Sequence, residues 1–332
     1  MKAAVVGSGA WGTALAVRLC KNGHDVTMWT YEKDKIPEML ETHHNPRLPA
    51  AVLPEALKIS GDYDCVRGCK LVVMASPSFP LRAVSRGVAP YIDGDAVVVS
   101  VTKGLEQNTH MRMSQVVAQE TGKNVVALTG PSHAEEVAFD MPTAVVAASE
   151  DEAAALLVQR LFSNDALRIY TSSDVHGVEL CGAIKNVIAF ACGIARGLGY
   201  GDNSSAALVT RGIAEMRRLG TALGFDPETF FGLACTGDLV VTAGSLHSRN
   251  LRCGKLVGSG VPVDEARRQI GAVVEGLNAL PAVIELSEKL GVEMPICDMV
   301  NKVVSGQIEP GDATALLMGR ELKQEGPQAY EA

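Results

Sequence analysis

The first half of the chain alternates short, continuously apolar runs with helical stretches, and this pattern limits the fold more than any other feature. Strands that are apolar on both faces occur in parallel sheets that helices cover on both sides. We therefore predict a doubly wound, mainly parallel α/β sheet, with helices at Trp11–Asn22 and Glu152–Phe162. The predicted strands are Lys2–Gly7, Asp25–Thr30, Leu71–Ala75, Ala96–Val101, Val125–Thr129, Thr143–Ala147 and Leu167–Tyr170.

The β pattern ends after Asp174, and helical periodicity takes over in the second half of the chain. The turn residues of Gly224–Pro227 and Gly291–Pro295 separate helical stretches there. A length of 332 residues suits two domains of ordinary size. We therefore predict domains at 1–174 and 175–332, the second all-helical. Its predicted helices cover residues 175–198, 204–223, 264–290 and 296–305.

A glycine motif, Gly7-Ser8-Gly9-Ala10-Trp11-Gly12, follows the first predicted strand and opens the first predicted helix. In this context the first glycine permits a tight turn, the second lets a pyrophosphate approach the backbone, and the third allows close helix packing. The free N–H groups of the helix N-terminus favour an anion. The alternative is a glycine turn that binds nothing. We predict a Rossmann-type dinucleotide-binding domain at 1–174, with Gly7, Gly9, Ala10, Trp11 and Gly12 at the cofactor.

The end of the second predicted strand lacks the acidic residue that would bond the ribose 2′-hydroxyl of NAD. Thr30 and Tyr31 stand there, and Glu32 follows. Lys33 and Lys35 could meet a 2′-phosphate, although both also fit a solvated helix start. We therefore expect NADP or NAD as cofactor, with NADP favoured.

Charge and cysteine usage exclude several classes of protein. A net charge of −8 argues against a general binder of nucleic acid or anionic membranes, which needs clustered Lys and Arg. The eight cysteines form no CxxC pair, so we expect free thiols in a reducing cytoplasm, without a disulfide framework or a metal site. Composition leaves the oligomeric state open and is compatible with a homodimer.

Two apolar stretches imitate membrane-targeting segments. Ala3–Val17 resembles a signal peptide, but three glycines interrupt it and charged residues follow it where a cleavage site would stand. Val175–Leu198 carries Glu179, Lys185 and Arg196, whereas a membrane helix needs about 20 largely uncharged residues. We predict a buried helix there and no stable membrane insertion.

Lys185 lies among Ala, Gly, Val and Ile of that buried helix. An ammonium loses hydration in such surroundings, and its pKa tends to fall. A lysine so placed can take the proton of a hydroxyl whose carbon loses a hydride, and can return it in the reverse direction. The alternative is a lysine that reaches the edge of the helix for structural reasons alone.

Further candidates lie at the carboxyl ends of two predicted strands, where open α/β sheets bind ligands. Lys103 follows one strand, and Gly130-Pro131-Ser132 follows another. Ser132 with Glu135 also fits a capping box, which is a structural role.

The helical domain offers a carboxylate and a guanidinium in glycine-rich surroundings. Asp238 and Thr242 come first, and Ser248-Arg249-Asn250 follows. The guanidinium fork matches two phosphate oxygens, and the amide adds a neutral donor. Each residue alone also fits an ordinary polar surface.

Six motifs follow one another along nearly the whole chain. They are Gly7-Ser8-Gly9-Ala10-Trp11-Gly12, Thr102-Lys103-Gly104-Leu105, Gly130-Pro131-Ser132, Gly182-Ala183-Ile184-Lys185-Asn186-Val187, Gly237-Asp238-Leu239 and Ser248-Arg249-Asn250. In these motifs the chain resembles bacterial-type glycerol-3-phosphate dehydrogenases. It departs from the pattern at Ala234-Cys235-Thr236-Gly237, where a more glycine-rich sequence is expected.

The resemblance implies an NAD(P)-dependent interconversion of dihydroxyacetone phosphate and sn-glycerol 3-phosphate, which supplies glycerophospholipid synthesis in the cytoplasm. It implies Lys185 as the catalytic proton acceptor. The implied substrate contacts are Lys103, Gly130, Ser132, Lys185, Asp238, Ser248, Arg249 and Asn250. The implied further cofactor contacts are Trp11, Tyr31, Lys103, Ala134, Arg249, Val273 and Glu275. Family analogy also places Asn186 and Thr242 near the phosphate. Asn186 lies about 100° around the helix from Lys185, so it is a weaker candidate for a substrate contact.

Two other functions remain open at this point. One is a related two-domain dehydrogenase of another small hydroxy acid, which would share the glycine loop and a buried lysine. The other is a sensor that binds NADP without turnover. The Ser248-Arg249-Asn250 motif argues against the first, and a lysine in an apolar helix argues against the second.

Overall fold

A computed structural model describes residues 1–322 and 324–325 of the chain. The chain forms two compact units. The first unit comprises Met1–Glu106 and Met111–Val175, and the second comprises Gln107–His110 and the chain from His176 onward.

The first unit is built on one sheet of eight strands. Its strand order is β10-β9-β8-β7-β6-β1-β2-β5, and only the β8–β9 pair is antiparallel. A separate antiparallel hairpin is formed by β3 and β4. The strands are β1 (Lys2–Val6), β2 (Asp25–Trp29), β3 (His44–Asn45), β4 (Leu48–Val52), β5 (Lys58–Ser60), β6 (Leu71–Met74), β7 (Val97–Ser100), β8 (Val125–Thr129), β9 (Thr143–Ala148) and β10 (Leu167–Ser172).

Successive residues of the central strand β1 point to opposite faces of the sheet, and both faces are buried. Ala3 and Val5 belong to one hydrophobic core, and Ala4 and Val6 belong to another. The run of four apolar residues in this strand therefore has a partner layer on each side. The helices of this unit are α1 (Ala10–Lys21), α2 (Ile36–Thr42), α3 (Leu81–Val88), α4 (Met113–Thr121), α5 (Ala134–Ala138) and α6 (Glu152–Phe162).

The order β5-β2-β1-β6-β7-β8 is that of a dinucleotide-binding sheet, with all six strands parallel. The chain reverses its direction of winding between β1 and β6, so a crevice opens at their carboxyl ends. The predicted mainly parallel, doubly wound α/β class is therefore confirmed. The seven predicted strands correspond to β1, β2 and β6–β10.

Two details differ from the sequence prediction. The hairpin β3–β4 and the edge strand β5 were not predicted, because they are short and only partly buried, so no apolar run marks them. The prediction of a single helix over 264–290 is wrong. Gly271 adopts a left-handed conformation with φ +65° and ends the first of two helices there, and the second begins at Glu275.

The second unit is helical, as predicted. Its helices are α7 (Val175–Gly197), α8 (Asp202–Ala222), α9 (Asp238–Gly244), α10 (Arg249–Gly258), α11 (Val263–Ile270), α12 (Glu275–Leu290), α13 (Pro295–Val304) and α14 (Pro310–Met318). By length and composition α7 could cross a membrane, but its apolar window is completely buried. The prediction of a buried helix is therefore confirmed.

The helices α7 and α10 touch backbone to backbone through glycine. A Cβ atom at Gly193 would lie 2.2 Å from the Leu251 carbonyl oxygen, and one at Gly254 would lie 2.1 Å from that of Phe190. Gly197 and Gly258 repeat the arrangement one turn further along each helix. Since α7 carries Lys185 and α10 begins at Arg249, this crossing fixes the distance between the helices that carry the predicted site.

A buried arginine joins two helices of the first unit. The Arg18 side chain in α1 is 3% exposed, donates to the Val137 carbonyl oxygen at 2.8 Å and pairs with Asp140 at 2.6 Å. Lys21 binds the same carboxylate from a more exposed position. These contacts attach α5, and with it the predicted cofactor contact Ala134, to α1.

A buried carboxyl group joins two helices of the second unit. Glu215 in α8 accepts hydrogen bonds from the backbone N–H groups of Ile296 at 2.6 Å and Cys297 at 3.3 Å. It thereby satisfies donors at the N-terminus of α13. Burial raises the pKa of Glu215 to about 7, although these two backbone bonds oppose the shift.

Candidate functional site

The glycine loop after β1 has the geometry that its three glycines predict. Gly7 has φ +133°, and a Cβ there would lie 2.6 Å from the Ala75 carbonyl oxygen. A Cβ at Gly12 would lie 2.1 Å from the Gly7 carbonyl oxygen, so α1 packs directly on the turn. At Gly9 a Cβ would meet nothing within 4 Å. The loop is therefore closed at both ends and open in the middle, where a pyrophosphate would approach.

Asn45, which sequence analysis missed, holds this loop in place. Its Nδ2 donates to the Ser8 carbonyl oxygen at 2.9 Å and to the Thr13 hydroxyl at 2.7 Å. The Ser8 hydroxyl bonds the Thr30 hydroxyl at 2.7 Å, which connects the loop to the end of β2. Asn45 lies in the unpredicted hairpin, so only its Asn-Pro turn sequence could have drawn attention to it.

A second missed residue lies at the carboxyl end of β6. Ser76 is 6% exposed, and within the described part of the chain its hydroxyl has no hydrogen-bond partner. Its backbone nitrogen borders Gly7, at the reversal point of the sheet. An open backbone loop beside a buried unpartnered hydroxyl fits a dinucleotide, so these residues could hold NAD(P).

The other predicted cofactor contacts of the first unit lie around this loop. Ala10 opens α1, and the neighbouring Trp11 is half-buried. Tyr31 follows β2 and is 85% exposed. Ala134 is the first residue of α5 and is buried.

The charged side chains that follow β2 are mostly held in ion pairs. Glu32 accepts from Arg47 at 2.9 Å, and Lys33 pairs with Asp62 at 2.8 Å. Lys35 lies 3.5 Å from Glu38. All three pairs are well exposed, so each costs little to rearrange.

Lys103, Gly130 and Ser132 come together, as expected for residues at neighbouring strand ends. Lys103 Nζ donates to the Gly130 carbonyl oxygen at 3.1 Å, and the Ser132 hydroxyl donates to the same oxygen at 2.9 Å. The predicted capping box of Ser132 and Glu135 is wrong. Helix α5 begins one residue later, with His133 as its N-cap and no side-chain cap bond, because Ser132 turns back to Gly130.

In the second unit, Lys185 forms a buried cluster with Asp238 and Thr242. Lys185 Nζ donates to the Thr242 hydroxyl at 2.6 Å and lies 3.1 Å from Asp238 Oδ1. The Thr242 hydroxyl also lies 2.6 Å from the Asp238 carbonyl oxygen. The loss of hydration in this buried position disfavours the ammonium form of Lys185, whereas the Asp238 carboxylate favours it.

The unusual sequence before Asp238 has a structural counterpart. Leu233–Gly237 forms a single π-helical turn that leads directly into α9. Such turns widen a helix locally and are frequent at functional sites. Here the turn sets the position from which Asp238 reaches Lys185.

Asn186 in α7 and Asn250 in α10 form a second polar group. Asn250 Nδ2 donates to Asn186 Oδ1 at 3.0 Å, and Asn250 Oδ1 accepts from the Gly276 N–H at 2.9 Å. Both amides are buried, and Asn186 also donates to the Gly182 carbonyl oxygen at 3.1 Å. Asn250 therefore has at most one amide hydrogen left for a ligand.

The remaining predicted residues lie at the beginning of α10 and α12. The Ser248 hydroxyl caps α10 by accepting from the Leu251 N–H at 3.2 Å, and Arg249 is exposed in its first turn. Val273 lies in the break between α11 and α12, and Glu275 begins α12. Among the described residues, no group of His, Cys, Asp and Glu could hold a metal ion.

Comparisons with known proteins agree along the whole chain. A family model described as the NAD-dependent glycerol-3-phosphate dehydrogenase N-terminus matches residues 2–155, and the corresponding C-terminus model matches residues 174–315. A glycerol-3-phosphate dehydrogenase (NAD(P)+) of Shouchella clausii is 43% identical, over 100% of this chain and 99% of the relative. One of Clostridium acetobutylicum is 46% identical, over 96% of this chain and 97% of the relative.

A crystal structure of glycerol-3-phosphate dehydrogenase from Coxiella burnetii superimposes with a TM-score of 0.91 at 38% identity. It covers 96% of this chain and 99% of that chain. These matches decide against the hydroxy-acid dehydrogenase and the nucleotide sensor. The chain belongs to the family of NAD(P)-dependent glycerol-3-phosphate dehydrogenases.

Proposed function

We propose that Lys185 exchanges the proton when this enzyme interconverts dihydroxyacetone phosphate and sn-glycerol 3-phosphate. The observation that carries the proposal is the buried cluster in which the Lys185 ammonium is 2.6 Å from the Thr242 hydroxyl and 3.1 Å from Asp238. A buried lysine whose ammonium is held by two polar groups has a defined direction for the proton it gives.

The proton balance of the reaction follows from these groups. NAD(P)H, when bound, supplies a hydride to the carbonyl carbon of dihydroxyacetone phosphate. The Lys185 ammonium donates a proton to the carbonyl oxygen as that oxygen gains charge, and becomes a neutral amine. In the oxidative direction the amine removes the hydroxyl proton of sn-glycerol 3-phosphate. Asp238 stabilises the ammonium in both directions.

We assign the substrate phosphate to the first turn of α10. Arg249 is exposed there, so its guanidinium can form a bidentate pair with phosphate oxygens. The N–H groups at the start of this ten-residue helix add to the favourable potential for an anion. Asn250 contributes one amide hydrogen at most. Lys103, Gly130, Ser132 and Ser248 complete the proposed substrate set.

We further propose that the cofactor is NADP in preference to NAD. The end of β2 presents the Thr30 hydroxyl, already bonded to Ser8, where a strict NAD site has a carboxylate for the ribose 2′-hydroxyl. Lys33 and Arg47 lie nearby in exposed ion pairs and could exchange their partners for a 2′-phosphate. The cofactor set is Gly7, Gly9, Ala10, Trp11, Gly12, Tyr31, Lys103, Ala134, Arg249, Val273 and Glu275.

The cellular role that we propose is the supply of sn-glycerol 3-phosphate for glycerophospholipid synthesis in the cytoplasm. Free thiols at all eight cysteines fit a reducing compartment. The burial of α7 in the helical core supports the absence of stable membrane insertion. A homodimer stays a prediction, which sedimentation of the purified protein would test.

The experiment follows NADPH or NADH oxidation at 340 nm with dihydroxyacetone phosphate, and with unphosphorylated dihydroxyacetone as control. We expect oxidation with the phosphorylated ketone alone, and faster with NADPH. In Lys185→Ala we expect kcat to fall by at least about 10²-fold, the range of general acid catalysis, with NADPH affinity nearly unchanged. The control Lys255→Ala changes an exposed lysine of the same unit and should retain full activity. Near-normal turnover in Lys185→Ala would refute its role.

A further inference from the structure

The segment that carries Lys103 is fastened to the structure on both sides of the lysine. Before it, the Thr102 hydroxyl donates to the Ser76 carbonyl oxygen at 2.7 Å. After it, Gly104 makes a turn with φ +126°, and Glu106 receives two bonds from Arg82. A residue at a strand end in an α/β enzyme usually lies in a mobile connection. Here that connection has an anchor at each end.

Arg82 uses its whole guanidinium group in this arrangement. Nε and Nη2 donate to the two carboxylate oxygens of Glu106, both at 2.7 Å. Nη1 donates to Glu120 at 2.6 Å and to Gln119 at 2.8 Å, and Nη2 also contacts Met111 Sδ at 3.6 Å. All five N–H donors of the guanidinium are thus accounted for. Because five acceptor atoms bind the planar guanidinium of Arg82, its orientation is fixed. The position of the Glu106 carboxylate is therefore fixed as well.

The two anchors belong to one piece of structure. Ser76 lies between β6 and α3, and Arg82 is the second residue of α3. The side chains of Arg82 and Glu106 are 25% and 17% exposed, so solvent screens this pair less than a surface ion pair. The backbone from Thr102 to Glu106 is therefore attached to α3 and its approach by side-chain contacts, in addition to the bond from the Glu106 N–H to the Met111 carbonyl oxygen at 2.9 Å. A shift of Lys103 would strain these side-chain contacts.

We propose that Arg82 and Glu106 are positioning residues, which hold the Lys103 ammonium in the place where it meets substrate and cofactor. This inference rests on the proposed role of Lys103 at the active site. Both residues act on Lys103 through the connection Gly104-Leu105 that joins it to Glu106. A displacement of about 1 Å at a reacting group can lower the rate about 10²-fold, so an indirect contact of this kind can have a large effect on turnover.

The competing explanation is that the charges only pack α3 against α4. The chain offers a matched control for it, because Arg86 binds Glu120 at 2.9 Å from the same helix without contacting Glu106. Arg86 and Arg82 together keep the pKa of Glu120 below its ordinary value. Removing Arg86 thus perturbs the contact between α3 and α4 and leaves the bonds to the Lys103 segment in place.

The first measurement compares kcat/KM for dihydroxyacetone phosphate and NADPH in Glu106→Ala, Arg82→Lys and Arg86→Ala, at a temperature where all are folded. We expect a loss of about 10- to 100-fold in Glu106→Ala. A smaller loss is expected in Arg82→Lys, which keeps the charge without the fork. Arg86→Ala should remain within about twofold of the wild type. Equal activities of Glu106→Ala and Arg86→Ala would overturn the proposal.

A double-mutant cycle then tests whether Glu106 acts through Lys103. In a Lys103→Ala background, Glu106→Ala should lower kcat/KM by less than about twofold, because no ammonium remains to be positioned. If Glu106→Ala lowered kcat/KM by the same factor with and without Lys103, the proposal would be overturned. If Lys103→Ala alone had wild-type kcat/KM, the positioning role would fall while the dehydrogenase activity stood. No oxidation of NADPH by the wild-type protein would instead overturn the proposed function itself.

Hydrogen exchange supplies a readout that does not need activity. Amides 102–105 should exchange faster in Glu106→Ala than in Arg86→Ala, since only the first variant removes a side-chain anchor of the segment. Identical exchange in the two variants would contradict the anchoring on which the inference depends.

Discussion

The glycine contacts between α7 and α10 lead to a quantitative prediction for Gly254→Ala. The added Cβ would lie 2.1 Å from the Phe190 carbonyl oxygen, whereas ordinary van der Waals contact begins at 3.4 Å. The Cβ would thus be about 1.3 Å too close to this oxygen. The nearest atoms are all backbone atoms of α7, so no side chain can rotate to relieve the overlap. The two helices must therefore separate.

Separation disturbs a core that is closely packed along the whole crossing. Phe190 and Leu251 are fully buried on either side. A gap of 0.5 to 1 Å already forfeits a quarter to a half of the dispersion energy of each contact. Overpacking of this kind costs about 3 kcal/mol or more, and the better helix propensity of Ala returns about 1 kcal/mol. We expect the free energy of unfolding to fall by about 2 kcal/mol.

Scanning calorimetry would show this loss as a decrease in Tm of about 4 to 8 °C. The control is Gly311→Ala in the first turn of α14, where a Cβ meets nothing within 4 Å. That variant should be as stable as the wild type or more stable by up to about 1 kcal/mol. If Gly254→Ala and Gly311→Ala shifted Tm equally, the steric reasoning would be refuted. Because α10 also begins with Arg249, we expect the KM for dihydroxyacetone phosphate to rise in Gly254→Ala only.

Three further predictions concern contacts described above. Asn45→Ala removes both bonds that hold the glycine loop, so the Kd for NADPH should rise about tenfold in a fluorescence titration; an unchanged Kd would contradict it. Burial raises the pKa of Glu215 from 4.5 to about 7, so the folded state binds more protons there and stability falls as pH rises through this window, by about 3 kcal/mol. Urea unfolding at pH 5 and pH 8 should show that the free energy of unfolding depends less on pH in Glu215→Gln than in the wild type. The same pH dependence in both proteins would contradict this prediction. Arg18→Ala should lower the free energy of unfolding by about 2 kcal/mol and Lys21→Ala by less than about 1 kcal/mol, because the Arg18 side chain is buried and the Lys21 side chain is not; equal losses would refute this.

The fold could be predicted well where one physical signal dominates. Strands such as β1 and β8 are apolar at four consecutive positions because they are covered on both faces, and that pattern is visible in the sequence alone. The reversed direction of β9 was not predicted, since an antiparallel strand that is buried on both faces has the same apolar pattern as a parallel one. The break before α12 was missed because the apolar residues on its two sides remain at helical spacing.

The candidate site could be predicted as a set of residues but not as a set of contacts. The sequence places Lys103 and Ser132 at strand ends, and the structure adds that both donate to the Gly130 carbonyl oxygen. Arg82 and Glu106 are separated by 24 positions and carry no motif, so their fork depends on the packing of α3 against the strand ends. Contacts of this kind arise from tertiary structure, for which a single sequence holds no local signal.

The ion pair of Lys185 and Asp238 shows why burial and chemistry must be considered together. Lys185 and Asp238 are 3% and 2% exposed, and burying two such charges costs several kcal/mol each before their attraction and hydrogen bonds repay it. Well-packed apolar residues in the same place are often as stable or more stable. The pair is therefore weak evidence for a stabilising role. The proton exchange that we propose for Lys185 would account for its presence, because the ammonium is held at a fixed point beside the Thr242 hydroxyl.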